Sequence, residues 1–407
     1  MTAAPPLSLA VALEGAGWHP ASWREPGARP DALFTGAYWA DIVQRAERGG
    51  IDFVTIEDSF ALQSADPFLA DDRTDEVRGR LDALLIASYV APLTSRIGLV
   101  PTVTVTHTEP FHVSKAVATL DHLSRGRGGW QVRVSSRVDE ASHVGRRIAA
   151  IVPPEPGTPL LEDPAIRAVV DELFEEAADA VEVARRLWDS WEDDAEIRDV
   201  ATDRFLDADK VHRVDFAGRW FSVRGPAITP RPPQGQPVVA ALAHADIPYR
   251  FAARSADVVF ATPQNAADAE RILQEIAEAE RGAGRTGERL RVLADLVVVL
   301  DTPAESAAAR LSRLDALGRP LTGDAAVAAG SAASVADRIA ELSRLGYDGV
   351  RLRPAVLATD LPLIADDLVP ELRRRGLLVG TEEGRTLRSA LGLPTSIPNR
   401  YASEEQS

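Results

Sequence analysis

Ionisable and hydrogen-bonding side chains gather where the short apolar runs of this chain end. Glu14 and His19 follow the run over residues 7–13, and Glu57 and Asp58 follow residues 51–56. Thr104, Thr106 and His107 close residues 97–105, Gln131 to Ser136 fall in the fourth run, and His244 follows the fifth. Arg351 and Arg353 alternate in the last. Acid, amide, hydroxyl and imidazole groups are the means of general acid–base and hydrogen-bonding catalysis. Each also has a plainer reading. The Glu57-Asp58-Ser59 triplet has the residue types of a helix cap. Thr102, Thr104 and Thr106 alternate along one strand face, where threonine is common. His112 and His122 share one predicted helix and read as packing or surface residues.

Several chemistries are excluded. The chain has no cysteine, so disulfides, thiolate nucleophiles and cysteine-held zinc or iron–sulfur clusters are ruled out. No H-E-x-x-H pair, G-x-S-x-G elbow or phosphate-binding G-x-x-x-x-G-K-[ST] loop occurs. No metal site is expected. Forty-five basic against 61 acidic residues leave a net charge of −16, which repels nucleic acid and anionic lipid. No apolar run is long enough for a membrane span. Met1–Pro6 show no basic cluster ahead of an apolar stretch, so the chain reads as cytoplasmic.

The elements that position these side chains form a repeating pattern. Strands are predicted at residues 7–13, 51–56, 97–105, 130–135, 237–242, 258–261, 292–300 and 349–352, nearly all followed by a helix. Eight such units with right-handed crossovers close most simply into a (β/α)8 TIM barrel. An open doubly wound sheet would carry a glycine fingerprint after its first strand, but here Glu14-Gly15-Ala16-Gly17 runs into Trp18 and His19. Residues 1–380 are therefore read as a single barrel domain with long insertions at about 137–162 and 195–235. Residues 381–407 are read as a polar C-terminal tail. The proline-rich stretch 137–162 follows strand four directly and is expected to cover the barrel mouth. A long helix is predicted over about 171–191, with Leu173, Phe174, Ala177, Val181, Ala184, Leu187 and Trp188 on one face.

Several long segments carry a resemblance. They are Arg96–Arg137 (RIGLVPTVTVTHTEPFHVSKAVATLDHLSRGRGGWQVRVSSR), Trp23-Arg24-Glu25-Pro26, the LWDSWEDDA run from Leu187, and Phe205–Val238. Together they resemble the luciferase-like flavin monooxygenases, nearest the nitrilotriacetate and dibenzothiophene-sulfone monooxygenase subgroup. The resemblance implies a (β/α)8 barrel and reduced FMN delivered by a separate flavin reductase. It also implies reaction with O2 to a flavin peroxide that oxygenates a small organic substrate, and a homodimer or homotetramer. The alternative is the same barrel with altered or lost flavin use: another flavin, a deazaflavin, or an inactive ligand-binding homologue.

Carried over by position, the resemblance places Asp58, Thr104 and Gln131 against the flavin. It leaves the catalytic residues unassigned. Where the family has a histidine and a tyrosine one turn apart on the long helix, this chain has Val170 and Phe174. Where the family has a serine-rich phosphate-binding segment after strand five, it has Ala243-His244-Ala245-Asp246-Ile247-Pro248. Each lost hydrogen bond to a charged phosphate removes about 1.5–3 kcal/mol. His244, Arg250 or Arg254 could compensate, but with Asp246 adding a negative charge the sequence predicts poor retention of FMN.

Overall fold

The computed structural model of the chain describes residues 6–66, 69–145, 151, 160–380 and 383–402. Its strands are β1 (Ser8–Leu13), β2 (Phe53–Ile56), β3 (Gly98–Thr104), β4 (Gly129–Arg133), β5 (Val238–Leu242), β6 (Val258–Ala261), β7 (Arg291–Leu300), β8 (Ala326–Gly330) and β9 (Gly349–Pro354). All nine are parallel. β1 pairs with β2 and β9, and β7 pairs with β6 and β9, so eight of them close a ring. These are the eight strands expected from the sequence, and the fold is a (β/α)8 barrel. β8 lies outside the ring, paired with the outer half of β7 from Leu296 to Leu300. Its sequence, AVAAG, is half-exposed and offers no apolar run, which is why the alternating pattern misses it.

Strand alternation sorts the side chains into two cores. Leu9, Val11, Val54, Leu99, Val239 and Leu352 face outward into the layer shared with the helices. Ala10, Phe53, Val100, Val238, Phe260 and Leu293 face the barrel axis. This is the period-two arrangement of a barrel whose interior is filled by side chains.

The helices are α1 (Gly36–Arg48), α2 (Ala83–Val90), α3 (Pro110–Ser124), α4 (Val138–Val144), α5 (Pro164–Asp189), α6 (Asp246–Ser255), α7 (Ala266–Gly282), α8 (Ala307–Asp315) and α9 (Ala332–Leu345). α5 begins well before the predicted residue 171. Asp163 caps it, accepting from the amides of Ala165 (2.8 Å) and Ile166 (3.4 Å), and Pro164 takes the first helical position. Val170 and Phe174 therefore lie inside the helix, not at its start. α6 was not predicted, because Pro248 falls in its first turn, where the missing amide is tolerated. The insertion at 195–235 holds two small hairpins, Glu196–Asp199 with Arg204–Leu206 and Phe216–Ala217 with Ser222–Val223. The second packs against the C-terminal half of α5 through Val183, Leu187 and Val214. Residues 146–150 and 152–159, half of the expected cover over 137–162, lie outside the described residues.

The segment read as a polar tail closes the bottom of the barrel. Thr386 caps a short helix, Leu387–Ala390, and Leu387, Leu391 and Leu393 are buried against the axial core. Gly98 and Gly129 leave the room for this. A Cβ at either would stand 2.6 Å and 2.9 Å from the methyl groups of Leu387. Arg388 is buried beside it, donating to the carbonyls of Pro394 (2.6 Å) and Gln236 (3.1 Å). The composition of this stretch hides its role, because a narrow opening needs only three leucines to seal it. Leu387→Ala should leave a cavity between β3 and β4 and lower stability by about 2–5 kcal/mol. Urea unfolding of the variant checks this, and a loss under 1 kcal/mol would show that the segment is not sealing the core.

Candidate active site

One tier above the axial apolar core, the barrel is filled with charge. Asp295 of β7 and Arg351 of β9 are fully buried and pair through two contacts, 2.7 Å and 2.5 Å. Arg353 bonds the same carboxylate from the other side and reaches Asp324 at 2.6 Å. Arg351 also donates to Gln131 Oε1 (2.6 Å), Glu57 Oε1 (3.2 Å) and Thr55 Oγ1 (3.2 Å). Its guanidinium lies over the Phe260 ring at 4.0 Å, and that of Arg353 over Trp18 at 4.6 Å. Buried charges persist only when paired and hydrogen-bonded, and each one here is. This network forms the floor of the mouth at the C-terminal ends of the strands, where barrel enzymes carry their sites.

Above the floor the mouth is divided in two. A cleft of about 660 Å³ is lined by polar groups, among them Glu14, Asp58, Arg80, Arg137 and Asp324. Beside it lies a chamber of about 400 Å³ walled by Leu173, Phe174, Ala241, Ala245 and Phe251. Arg133 and Glu57 border both. Arg133 projects from β4 and grips Glu140 of α4 with two bonds of 2.8 Å and 2.9 Å. It also donates to Thr104 Oγ1 at 3.0 Å. Glu140 is fully buried, and although burial raises its pKa, the Arg133 pair holds it below the ordinary glutamate value.

Glu14, His19, Asp58, Gln131 and His244 line this mouth and Thr104 lies behind Arg133, but their polar groups are already engaged. Asp58 braces the start of α2, whose N-cap is Asp82, with its carboxylate accepting from the amides of Ala83 (2.9 Å) and Ser59 (2.7 Å). Burial pushes its pKa up to about 6, against the opposing pull of those two amides. Thr104 is covered by Arg133. Gln131 is held between Arg351 and Glu57, to which its amide donates at 3.3 Å. Glu14 pairs with Arg80 at 3.0 Å, and His19 bonds Asp315 at 2.9 Å. Sequence reasoning missed Glu140, Asp295 and Asp324. The signal for Asp295 was available, since it is the one charged residue inside the apolar run from Val292 to Leu300.

Val170, Phe174 and His244 all line the chamber, the first two at its outer end and His244 over the floor beside Asp324. Val170 joins Ile151, Ile166 and Ile247 in an apolar cluster, and Phe174 packs on Phe251 with ring centres 5.5 Å apart. His244 lines the chamber, 3.5 Å from both Asp324 and Thr262. Loss of solvent around it lowers its pKa, so the ring is neutral at pH 7. Asp246, the first residue of α6, pairs with Arg167 of α5.

A closed parallel barrel with an apolar chamber over a hydrogen-bonded polar floor has the architecture of a small-molecule enzyme of the (β/α)8 class. Within that class, residues 17–321 match the luciferase-like monooxygenase family, and the chain belongs to it. It is 29% identical to N-acetyl-S-(2-succino)cysteine monooxygenase of Bacillus subtilis (strain 168), over 97% of this chain and 98% of that protein. It is also 29% identical to nitrilotriacetate monooxygenase component A of Aminobacter aminovorans, over 95% of this chain and 96% of that one. Its fold matches the EDTA monooxygenase of Chelativorans sp. BNC1 with a TM-score of 0.76 at 22% identity, covering 96% and 99% of the two chains. The chain is an enzyme of the flavin-dependent monooxygenase class, and its cofactor class is a flavin. Among the described residues no helix is long and apolar enough to cross a membrane, and no cluster of three metal-ligating side chains occurs.

The donor set of the chamber matches one part of FMN and not another. Its inner end, with Gln131, Glu57 and Arg133 between apolar walls, suits a flat ring with polar edges. Its outer end does not suit a phosphate: Val170 and Phe174 donate nothing, and at the rim Asp246 is an anion already paired with Arg167.

The titration of Asp58 gives a test of its place. Its folded pKa, about 6, lies above the unfolded value, so the folded state is favoured below the unfolded pKa and loses that advantage as pH rises through 6. Asp58→Asn cannot ionise. Its stability relative to wild type should rise between pH 4 and pH 7, by up to roughly 3 kcal/mol. Denaturant titrations of both proteins at several pH values measure this, and a difference independent of pH would place Asp58 in solvent.

Proposed function

We propose that this chain is the oxygenase component of a two-component flavin monooxygenase. A separate reductase supplies reduced flavin in trans, O2 is the co-substrate, and a small organic molecule receives one oxygen atom in the cytoplasm. The observation that supports this reading is the pairing of an apolar chamber with an adjoining polar cleft above a floor of hydrogen-bonded charges. The flavin, when bound, supplies the redox chemistry, and the protein supplies orientation and exclusion of water. Glu57 and Gln131, fixed by Arg351, present hydrogen-bonding groups at the inner end that need no rearrangement to meet a ligand. Asp58 borders the adjoining cleft, and Thr104 acts at one remove, by holding Arg133. The cleft, with Arg80 and Arg137 among its walls, is the route for the organic substrate. FMN of the family type would be held weakly, because the outer wall lacks phosphate donors.

Stopped-flow mixing of protein in excess over photoreduced flavin with oxygenated buffer tests the reading. FMN and riboflavin should each be tried. The chamber should change the reoxidation time course relative to free flavin. A trace matching that of an equal concentration of serum albumin, with both flavins, would remove the oxygenase assignment.

The oligomer we propose is a homodimer built on α2. One face of this helix is buried through Ala83, Ile86, Ala87 and Val90. The opposite face exposes Leu85 (66%) and Tyr89 (52%), one turn apart, with Leu93 just beyond. An exposed apolar strip on an otherwise strongly charged surface marks a contact with another chain. Light scattering should report a dimer for the wild type and a monomer for Leu85→Glu/Tyr89→Glu. A wild-type monomer at micromolar concentration would exclude the arrangement.

A further inference from the structure

The outer end of the chamber is closed by two helices whose facing charges are already matched. α5 contributes Arg167, Asp171 and Asp179 at helical spacing, and α6 contributes Asp246, Arg250 and Arg254. Arg167 pairs with Asp246, Arg250 with Asp171 at 2.6 Å, and Arg254 with Asp179 at 3.6 Å. Beneath this ladder lies the apolar cluster of Ile151, Ile166, Val170 and Ile247, with Phe174 packed against it. Asp246 places a carboxylate at the N-terminus of α6, the position where a helix dipole favours an anion. The protein thus fills its own anion position and neutralises it with Arg167.

Building on the flavin assignment above, we propose that the chamber accepts a flavin whose side arm ends in a neutral hydroxyl, so that riboflavin is preferred over FMN. A phosphate monoester brings a charge of about −1.5 to −2 at pH 7. Placed at the outer end it would meet an apolar wall, with the Arg167–Asp246 pair at the rim leaving it no free cation among the described residues. Among the described residues, the basic groups on these two helix faces, Arg167, Arg250 and Arg254, each hold a carboxylate. A phosphate could recruit Arg167 only by leaving Asp246 unpaired. A ribityl hydroxyl makes no such demand, and its carbon chain can lie along Val170 and Phe174. The selectivity comes from a built-in negative charge against the wrong ligand as much as from contacts to the right one.

The test is anaerobic ultrafiltration of the full chain with photoreduced riboflavin and, separately, photoreduced FMN, measuring bound flavin at equilibrium. Riboflavin should bind at least tenfold more tightly than FMN. Asp246→Asn, which releases Arg167, should narrow that gap at least tenfold by strengthening FMN while leaving riboflavin nearly unchanged. Raising the salt concentration should leave riboflavin retention unaltered. If the wild type binds FMN as tightly as riboflavin or better, the selectivity is overturned while the flavin assignment stands. If it retains neither flavin, the flavin assignment falls, and the selectivity with it.

Discussion

The carboxylate of Asp295, held between the guanidinium groups of Arg351 and Arg353, is the constraint on which the barrel mouth depends. Three charges without solvent are tolerable only in near-ideal geometry, so the network admits few arrangements. Arg351 is fixed further by Phe260 below and by Gln131, Glu57 and Thr55 around it. The strands that carry these groups, β2, β4, β6, β7 and β9, are thereby registered to one another by side chains as well as by backbone bonds. Gln131 and Glu57 meet any ligand as parts of that network, with their orientations already set. Preorganisation of this kind is what lets a barrel hold a reactive small molecule in a defined pose.

Above the network, a single side chain decides the shape of the working space. Arg133 enters from β4, where register places it beside Thr104 of β3, and Glu140 from α4 meets it from above. The pair separates a polar vestibule from an apolar room. The separation would serve the proposed reaction, because the polar cleft and the apolar chamber offer two differently solvated spaces side by side. It also shows why a short insertion helix right after β4 matters: without α4, the Arg133 guanidinium would lack its carboxylate.

The barrel was legible in the sequence because its signal is long and redundant. Eight apolar runs alternated with amphipathic helices, and each surviving run narrowed the choice of fold. What escaped were elements with weak local signals. β8 is alanine-rich and half-exposed, α6 begins under a proline, and the start of α5 rests on one Asp-Pro step. The site was legible in position and not in partnership. Asp58, Thr104, Gln131, Val170, Phe174 and His244 all lie around the mouth, where strand-end reasoning and family resemblance put them. That Asp58 would be committed to the amide of Ala83, or Thr104 to Arg133, depends on contacts across 25 and 29 residues of chain. No local pattern records such distances. Asp295 is the exception, since a lone acid in an apolar strand announces a buried partner before the partner is known.

The seal beneath the barrel has a consequence for how the protein comes into being. Leu387 packs against Gly98 and Gly129, and the Leu387 amide bonds the carbonyl of Gly126 at 2.9 Å, so late chain completes a cavity framed by early chain. A ribosome delivers residues in order, at roughly 5–20 per second. During synthesis the first strands must therefore wait, with the axial faces of Phe53, Val100 and Val238 unsealed from below, until more than 250 further residues beyond Gly129 have emerged. Contacts of such long sequence separation slow folding and prolong the exposure of sticky surface. The nascent barrel therefore keeps an apolar opening at its base until its last segment arrives.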